Sequence, residues 1–278
     1  MQMGISRPGG RIAALATAAL ATRAGYEALR RAKPGGAGRW ERKNHAGRTV
    51  DLCAGPAATL GGVLAALAPR GLEPPARGAT ALAVAVAGAC GAYDDIVGAD
   101  DPRRGFRAHL GALRRGEVTS GAVKLFGIGA AGLAAGALLK ERPVDQVLAG
   151  VVIAGAAHCV NLVDVRPGRA GLTVLALGAP GLLKRSGALA AAPMGAAAAV
   201  LVDDLGERTM LGDAGAHALG AGLGAAIVAG NGRLGLAAHA AAVVAAAVYG
   251  DVVGRADAAV PGCGVLGASE VPTVVRAG

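Results

Sequence analysis

The chain has 278 residues and a net charge of +9, and 53% of its residues are hydrophobic while only 2% are aromatic. Disordered chains have low hydrophobicity, and soluble domains carry about 25% charged residues against 17% here, so both classes are disfavoured. The scarcity of aromatic residues and the apolar character also argue against nucleic acid as a partner, although the chain is basic.

Nine apolar stretches are predicted to be membrane helices, because a membrane span needs about 20 predominantly apolar residues. In chain order they lie at 10–29, 50–69, 78–97, 123–140, 144–162, 170–184, 186–203, 214–230 and 234–250. Ala and Gly are abundant in them and permit helices to approach closely in lipid. The expected fold is all-α: a polytopic membrane helical bundle with about nine transmembrane helices, formed as a single integral membrane domain over 1–278.

The Lys and Arg residues of the loops predict the orientation, because these residues concentrate on the cytoplasmic side of a membrane. If the loop at 30–49 is cytoplasmic, its side holds about twice as many Lys and Arg residues as the other side. The amino terminus is then outside, and 251–278 form a cytoplasmic tail. Six acidic residues at or beside helix ends then lie on the cytoplasmic face: Asp94, Asp95, Asp164, Asp203, Asp204 and Asp213.

The first group with chemical potential is the pair Asp94 and Asp95, at the end of the third predicted span. Adjacent carboxylates repel each other unless a cation or a shared proton relieves the repulsion. An ionised carboxylate buried in a membrane also costs about 2.5 kcal/mol or more. The pair therefore indicates a magnesium site or a general base. A solvated acidic helix end is the alternative interpretation.

The second group follows the fifth predicted span, where His158, Asn161 and Asp164 recur every three residues. They share one helical face if the helix continues as far as Asp164, and Pro167 then ends it. The amide and the carboxylate offer oxygen ligands for a metal. An ordinary polar helix end is the alternative.

The third group is the glycine-rich segment around Asp213, which opens the eighth predicted span. Asp213 is expected beside the first turn, where the helix dipole favours an anion. From this motif alone, an aspartate that caps the helix is the favoured interpretation. His217 is predicted to be a packed or hydrogen-bonded histidine rather than a ligand.

Basic loops complete the pattern. The arginine-rich loop at 98–124 ends near Lys124, and the segment 40–48 has a similar character. Arg166 and Arg169 follow Asp164 and could hold phosphate groups as hydrogen-bonding forks. Glycines among cations suit a phosphate-rich ligand or anionic lipid headgroups. For each arginine, a contribution to membrane orientation alone is the alternative.

Together these motifs resemble the polyprenyl-phosphate N-acetylhexosamine-1-phosphate transferase family (glycosyltransferase family 4), which includes the phospho-MurNAc-pentapeptide transferases. The match covers roughly 40–220, in family order: an Asp-Asp pair after a helix, a Gly/Thr-rich loop ending in Lys, an Asn-x-x-Asp helix end, then Gly-Asp-x-Gly. The order of the motifs is more specific than any one of them.

The resemblance implies transfer of a sugar 1-phosphate from a UDP-sugar to a polyprenyl phosphate, with release of UMP, in cell-wall or surface-glycan biosynthesis. It also implies Mg²⁺ as the cofactor, with Mn²⁺ as an alternative, and a bacterial plasma membrane as the location. Membrane lipids are further expected partners, and a homodimer is an assembly to be considered. The resemblance implies that Asp94, Asp95 and Asp164 are catalytic carboxylates and that Asn161 and Asp213 are metal ligands. It also implies that Lys124 contacts phosphate. Arg166 and Arg169 are added as substrate contacts on the basis of charge.

The chain departs from the family pattern in two places. The central motif usually continues with a second aspartate, where this chain has Pro167, and the late histidine-rich cytoplasmic loop is missing. A relative that binds the lipid carrier without turnover is therefore the alternative function. A third hypothesis treats the acidic run from Asp94 to Asp101 as a prenyltransferase-like motif, and it requires a second acidic motif such as Asp203–Asp204 on a neighbouring helix.

Overall fold

The computed structural model describes residues 8–68, 73–99, 101, 103 and 105–259, with the backbone alone at 8, 106 and 251–259. The described chain forms ten α-helices and one pair of short strands. The helices are α1 Pro8–Ala32, α2 Ala54–Leu67, α3 Pro74–Val97, α4 Gly105–Arg114, α5 Ser120–Leu139, α6 Pro143–Val163, α7 Arg169–Gly178, α8 Gly187–Leu205, α9 Gly212–Gly230 and α10 Arg233–Ala259. The strands are β1 Glu41–Lys43 and β2 Thr49–Asp51.

Each of the nine predicted spans overlaps a helix, so the helical bundle is confirmed. The span predicted at 50–69 begins too early, because its first residues belong to β2 and α2 begins at Ala54. Five helices, α3, α5, α6, α8 and α10, are long and apolar enough to cross a membrane. The apolar helix α2 and the segment formed by α7 and the 3₁₀ turn after it are shorter. The protein is therefore a helical membrane protein by length and composition of its helices, while the number of nine spans and their orientation remain predictions.

Helix α9 lies at the centre of the bundle and packs against α2, α3, α6 and α8. Nearly all its residues are buried, as expected for a helix that is apolar around its whole circumference. Its amino-terminal end carries Asp213. Helices α3, α5 and α6 all contact α9. Their ends therefore determine which side chains reach Asp213.

The two strands were not predicted from the sequence. They form an antiparallel hairpin in which Arg42 pairs with Val50. The backbone of Asp51 donates to the carbonyl of Arg208 and accepts from the N–H of Met210, at 3.3 and 2.9 Å. The hairpin is thereby joined to the loop between α8 and α9, at the same end of the bundle as Asp213.

Two further expectations need correction. Helix α6 ends at Val163, and Asp164 adopts a non-helical conformation, so the three-residue spacing from His158 does not continue to Asp164 on one helical face. The predicted tail at 251–278 begins too early, because α10 continues to Ala259. The rest of that tail lies outside the described residues.

The other end of the bundle is held by a few local contacts. The Arg233 guanidinium donates to both oxygens of Asp145, at 2.6 and 3.1 Å, and ties the start of α10 to the start of α6. Lys140 Nζ donates to the backbone carbonyl of Asn231 at 2.9 Å. These two contacts therefore join neighbouring helix ends and loops at this end of the bundle.

Candidate functional site

A lysine bridges two aspartates at the end of the bundle that contains Asp213. Lys124, in the second turn of α5, donates to Asp94 Oδ2 at 2.6 Å and to Asp213 Oδ2 at 2.5 Å. The side chains of all three are at most one quarter exposed. Two carboxylates from α3 and α9 thus share one ammonium group, and charge neutralisation is what permits them to lie close together in a partly buried place.

The second aspartate of the pair has a different role. Asp95 Oδ1 accepts from the backbone N–H of Asp213 at 2.9 Å, and Oδ2 accepts from that of Ala214 at 3.0 Å. These are two of the amide groups that a helix leaves unsatisfied in its first turn. Asp95 therefore caps α9 from another helix, and its carboxylate holds Asp213 in position.

The expectation that Asp213 itself caps α9 is wrong. The residue before the helix is Leu211, and Asp213 is the second residue inside it. Its side chain is free to bind Lys124 because Asp95 supplies the cap. The position in the first turn, where the helix dipole favours an anion, is as expected.

Glycine residues allow the two helices to meet here. A β-carbon at Gly91 would collide with the backbone carbonyl of Asp213, so α3 and α9 touch backbone to backbone at this point. Gly212 has a φ of +58°, and a β-carbon there would lie 3.0 Å from both carboxylate oxygens of Asp95. Both the left-handed conformation and the space require glycine.

Asp164 lies close enough to this cluster to be affected by its charge. Burial, together with the negative charges of Asp204, Asp213 and Asp95, raises the pKa of Asp164 to about 7. No cationic side chain lowers the pKa of Asp164 in return. Asp164 is therefore a partly buried carboxyl group near other carboxylates, and it forms no ion pair with the described residues.

The remaining predicted residues lie nearby without joining the cluster. Asn161 is half-buried in the last turn of α6, and its side chain forms no hydrogen bond with the described residues. Arg166 and Arg169 have exposed side chains in the turn that leads into α7. They lie at the same end of the bundle as Asp164, and their guanidinium groups point to solvent rather than to a carboxylate in the described structure.

The acidic pair in α8 serves other contacts. Asp203 forms ion pairs with Arg23 and Arg208 at 2.6 and 2.9 Å. Asp204 Oδ2 accepts from the backbone N–H of Gly168 at 2.9 Å. These carboxylates fasten α1 and the start of α7 to α8, so the prenyltransferase-like arrangement with Asp94 receives no support from this geometry.

Two residues outside the predicted site contact backbone carbonyl groups of the cluster. His217 is buried, and its Nδ1 lies 2.7 Å from the carbonyl oxygen of Asp213, which confirms it as a packed, hydrogen-bonded histidine. Arg42 of β1 donates to the backbone carbonyl of Asp95 at 2.6 Å. The basic character of 40–48 was the only sequence signal for Arg42, and it could not distinguish this arginine from its neighbours.

A Mg²⁺ site would depend on the carboxylate and amide oxygens at this end of the bundle. Within the described residues, no three carboxylate, imidazole or thiol side chains are grouped closely enough to form a metal cage. Mg²⁺ does not require such a cage, because it usually binds one or two carboxylates together with water and substrate phosphates. Asp213, the uncompensated Asp164 and the free amide oxygen of Asn161 fit that kind of site.

The chain was also compared with protein-family models and with curated proteins, and neither comparison gave a match.

Proposed function

We propose that the protein transfers a sugar 1-phosphate from a UDP-sugar to a polyprenyl phosphate at the cytoplasmic end of the bundle, with release of UMP. One observation carries this proposal. Asp94 and Asp213 are joined through Lys124, and the charge of Asp213 acts on Asp164, although these residues come from four distant segments. These are the segments through which the chain resembles the sugar-phosphate transferases, and this resemblance supports the proposal that it is a divergent member of that family.

The proposed step is a phosphoryl transfer. An oxygen of the lipid phosphate forms a bond with the β-phosphorus of the UDP-sugar, while the bond from that phosphorus to the oxygen of UMP breaks. The electron pair of the broken bond leaves with UMP. Such a reaction depends mainly on positioning and on neutralising the charge of the phosphates.

The residues divide these tasks in the proposal. Asp94 orients the lipid phosphate, and Lys124 contacts a phosphate oxygen while neutralising part of the charge of Asp94 and Asp213. Asp95 acts through Asp213, which it holds by capping α9, and is therefore a positioning residue. The exposed Arg166 and Arg169 lie where they could bind the diphosphate.

Mg²⁺, when bound, would neutralise the diphosphate of the donor. Asp213, Asn161 and Asp164 are the residues that would hold it. The two aspartates lie close enough for the charge of Asp213 to raise the pKa of Asp164, which is the excess of negative charge that a cation would offset.

A carrier-binding protein without turnover is the second candidate function. It is favoured by the ammonium group of Lys124, which already occupies the carboxylates of Asp94 and Asp213, and by Pro167 in the place of an aspartate. Such a protein would bind polyprenyl phosphate and leave the UDP-sugar unchanged.

The two functions are separated by assaying UMP release from a panel of UDP-sugars, with polyprenyl phosphate and Mg²⁺ supplied to the purified protein. Asp94→Asn and Asp213→Asn should each lower the rate by about a thousandfold, because each removes a charge that acts in the transition state. Asp145→Asn is the matched control, since it removes a carboxylate at the opposite end, and it should keep the wild-type rate.

UMP release that persists in both site variants would contradict the assignment. Saturable binding of polyprenyl phosphate with no UMP from any donor would establish the carrier-binding function instead.

A further inference from the structure

Helix α4 connects two helices that are long and apolar enough to cross a membrane. It follows the carboxyl-terminal end of α3 and precedes the amino-terminal end of α5, and these two ends meet where Lys124 contacts Asp94. A connection between two such ends must lie at the boundary between membrane and water. The location of α4 is therefore determined by its neighbours.

One side of α4 packs against the protein. Ala112 is fully buried, and His109 Nδ1 lies 2.9 Å from Thr119 Oγ1, just before α5. A β-carbon at Gly121 would collide with the ring of His109, so the two helices are in tight contact. This contact fixes the rotation of α4 about its own axis.

The rotation leaves two other faces uncovered. Leu110 and Leu113 are three positions apart, so they share a face, and they are 39% and 36% exposed. Arg107 and Arg114 are seven positions apart, which places them on one adjoining face, and both are exposed. The helix thus presents an apolar face and a basic face side by side, away from the bundle.

The charge of this basic face is not compensated within the described structure. Neighbouring basic residues are paired: Arg103 binds Asp101 and Glu117, and Arg115 lies 3.5 Å from Glu117. By contrast, no acidic side chain among the described residues forms an ion pair with Arg107 or Arg114. Two free guanidinium groups beside exposed leucines call for a ligand that is both anionic and apolar.

We infer that α4 is an interfacial helix that binds an anionic phospholipid surface. Leu110 and Leu113 enter the upper acyl region, and Arg107 and Arg114 extend to lipid phosphates. Amphipathic helices with leucines on one face and basic residues on the other lie in the membrane plane in this way. Long arginine side chains can reach the headgroups while their stems cover apolar surface.

A free phosphate ion would account for the arginines alone. It would leave the exposed leucines without a role, and it would not explain why α4 lies between two helices that are long and apolar enough to cross a membrane. The lipid surface accounts for all three observations, and it does so without reference to the proposed transferase activity.

The test is hydrogen–deuterium exchange over 105–114 in the full chain, reconstituted in nanodiscs of phosphatidylcholine alone or mixed with phosphatidylglycerol. Phosphatidylglycerol should slow amide exchange in α4 by roughly tenfold, since each basic residue near an anionic surface adds to the attraction. Arg107→Gln with Arg114→Gln should abolish the difference between the two lipid compositions. Arg107→Lys with Arg114→Lys should retain most of it, because the charge remains.

The matched control removes two exposed arginines at the opposite end, Arg142→Gln with Arg185→Gln, and should leave the exchange of α4 sensitive to phosphatidylglycerol. Equal exchange of the wild-type helix in both lipid compositions would overturn the inference. So would slowing by inorganic phosphate in phosphatidylcholine nanodiscs to the same extent, which would indicate an anion site. A lysine variant that loses the lipid dependence would also overturn it, even if the glutamine variant unfolds α4.

Discussion

The two ends of the bundle treat charge in opposite ways. At one end, Asp145 and Arg233 form a one-to-one pair near the surface. At the other end, the single ammonium of Lys124 serves both Asp94 and Asp213, while Asp164 lies near further carboxylates and forms no ion pair with the described residues. Paired charges at a surface join neighbouring helices, whereas a partly buried excess of one sign opposes folding and is typical of functional sites. The difference supports the proposal that a ligand binds at the end of the bundle that contains Asp213.

Removing the shared ammonium is the strongest way to break this comparison. In Lys124→Met, two partly buried carboxylates would lose the one cation that contacts them in the described part of the chain. Loss of one partner from a buried ion pair costs roughly 3 kcal/mol, so we expect the free energy of unfolding in detergent to fall by about that amount.

Arg233→Met is the matched substitution at the other end, where the guanidinium is 46% exposed. A surface ion pair contributes little to stability, so this substitution should lower the free energy of unfolding by much less than Lys124→Met does. Equal losses in the two variants would show that the ends do not differ as described.

Asp164→Asn sharpens the comparison through its dependence on pH. Folding raises the pKa of Asp164 from 3.8 to about 7, because of burial and neighbouring carboxylates. The ionised group therefore opposes folding, and this effect grows as the pH rises from the ordinary pKa and is complete above the raised one. In metal-free buffer, the substitution should raise the free energy of unfolding by on the order of 2 kcal/mol above neutral pH, and by little in acid.

The measurement is the melting temperature of the wild type and the variant across this pH range. Asp145→Asn provides the control, since its carboxylate already has a cationic partner and its removal should bring no gain. A pH-independent effect of Asp164→Asn would exclude electrostatic opposition as its cause.

The smallest expected effect concerns the hairpin that lies over the acidic end. Arg42→Gln removes the hydrogen bond from β1 to the carbonyl of Asp95. Such a bond contributes about 1 kcal/mol, so amide exchange over 41–51 should accelerate by roughly fivefold. Arg48→Gln removes an exposed arginine of the same hairpin that pairs with Glu207, and it should leave the backbone of Asp95 unaffected. Unchanged exchange in Arg42→Gln would mean that the hydrogen bond to Asp95 contributes nothing to the stability of the hairpin.

The helices could be predicted from the sequence because long apolar runs dominate it. The predicted span at 123–140 coincides with α5, which begins three residues earlier, since the Thr119 side chain accepts from the N–H of Ala122 and caps it. The hairpin was missed because its strands have only three residues each and are largely polar, so they show no alternating pattern. Helix α4 was missed for a related reason: its few apolar residues lie among arginines, in a segment that was interpreted as a basic loop.

The residues of the acidic end could also be selected from the sequence, but their contacts could not. Asp94 and Asp95 are neighbours in the chain, and nothing in their sequence context indicates that one binds a lysine while the other caps a distant helix. That division arises from the crossing of α3 and α9 at Gly91, which depends on tertiary packing. The face expected from His158 to Asp164 failed because α6 ends one residue before Asp164, a boundary that the spacing alone does not reveal.

The cap that Asp95 provides for α9 has a consequence for biosynthesis. Asp95 and Ala214, which its carboxylate binds, are 119 positions apart in the chain. During translation α3 is therefore complete long before α9 emerges from the ribosome. Until then, Asp95 has no helix end to cap, and Asp94 has no Asp213 with which to share Lys124. The acidic cluster assembles only when the central helix arrives, so a nascent chain that stops before α9 carries the aspartates of α3 without the cluster.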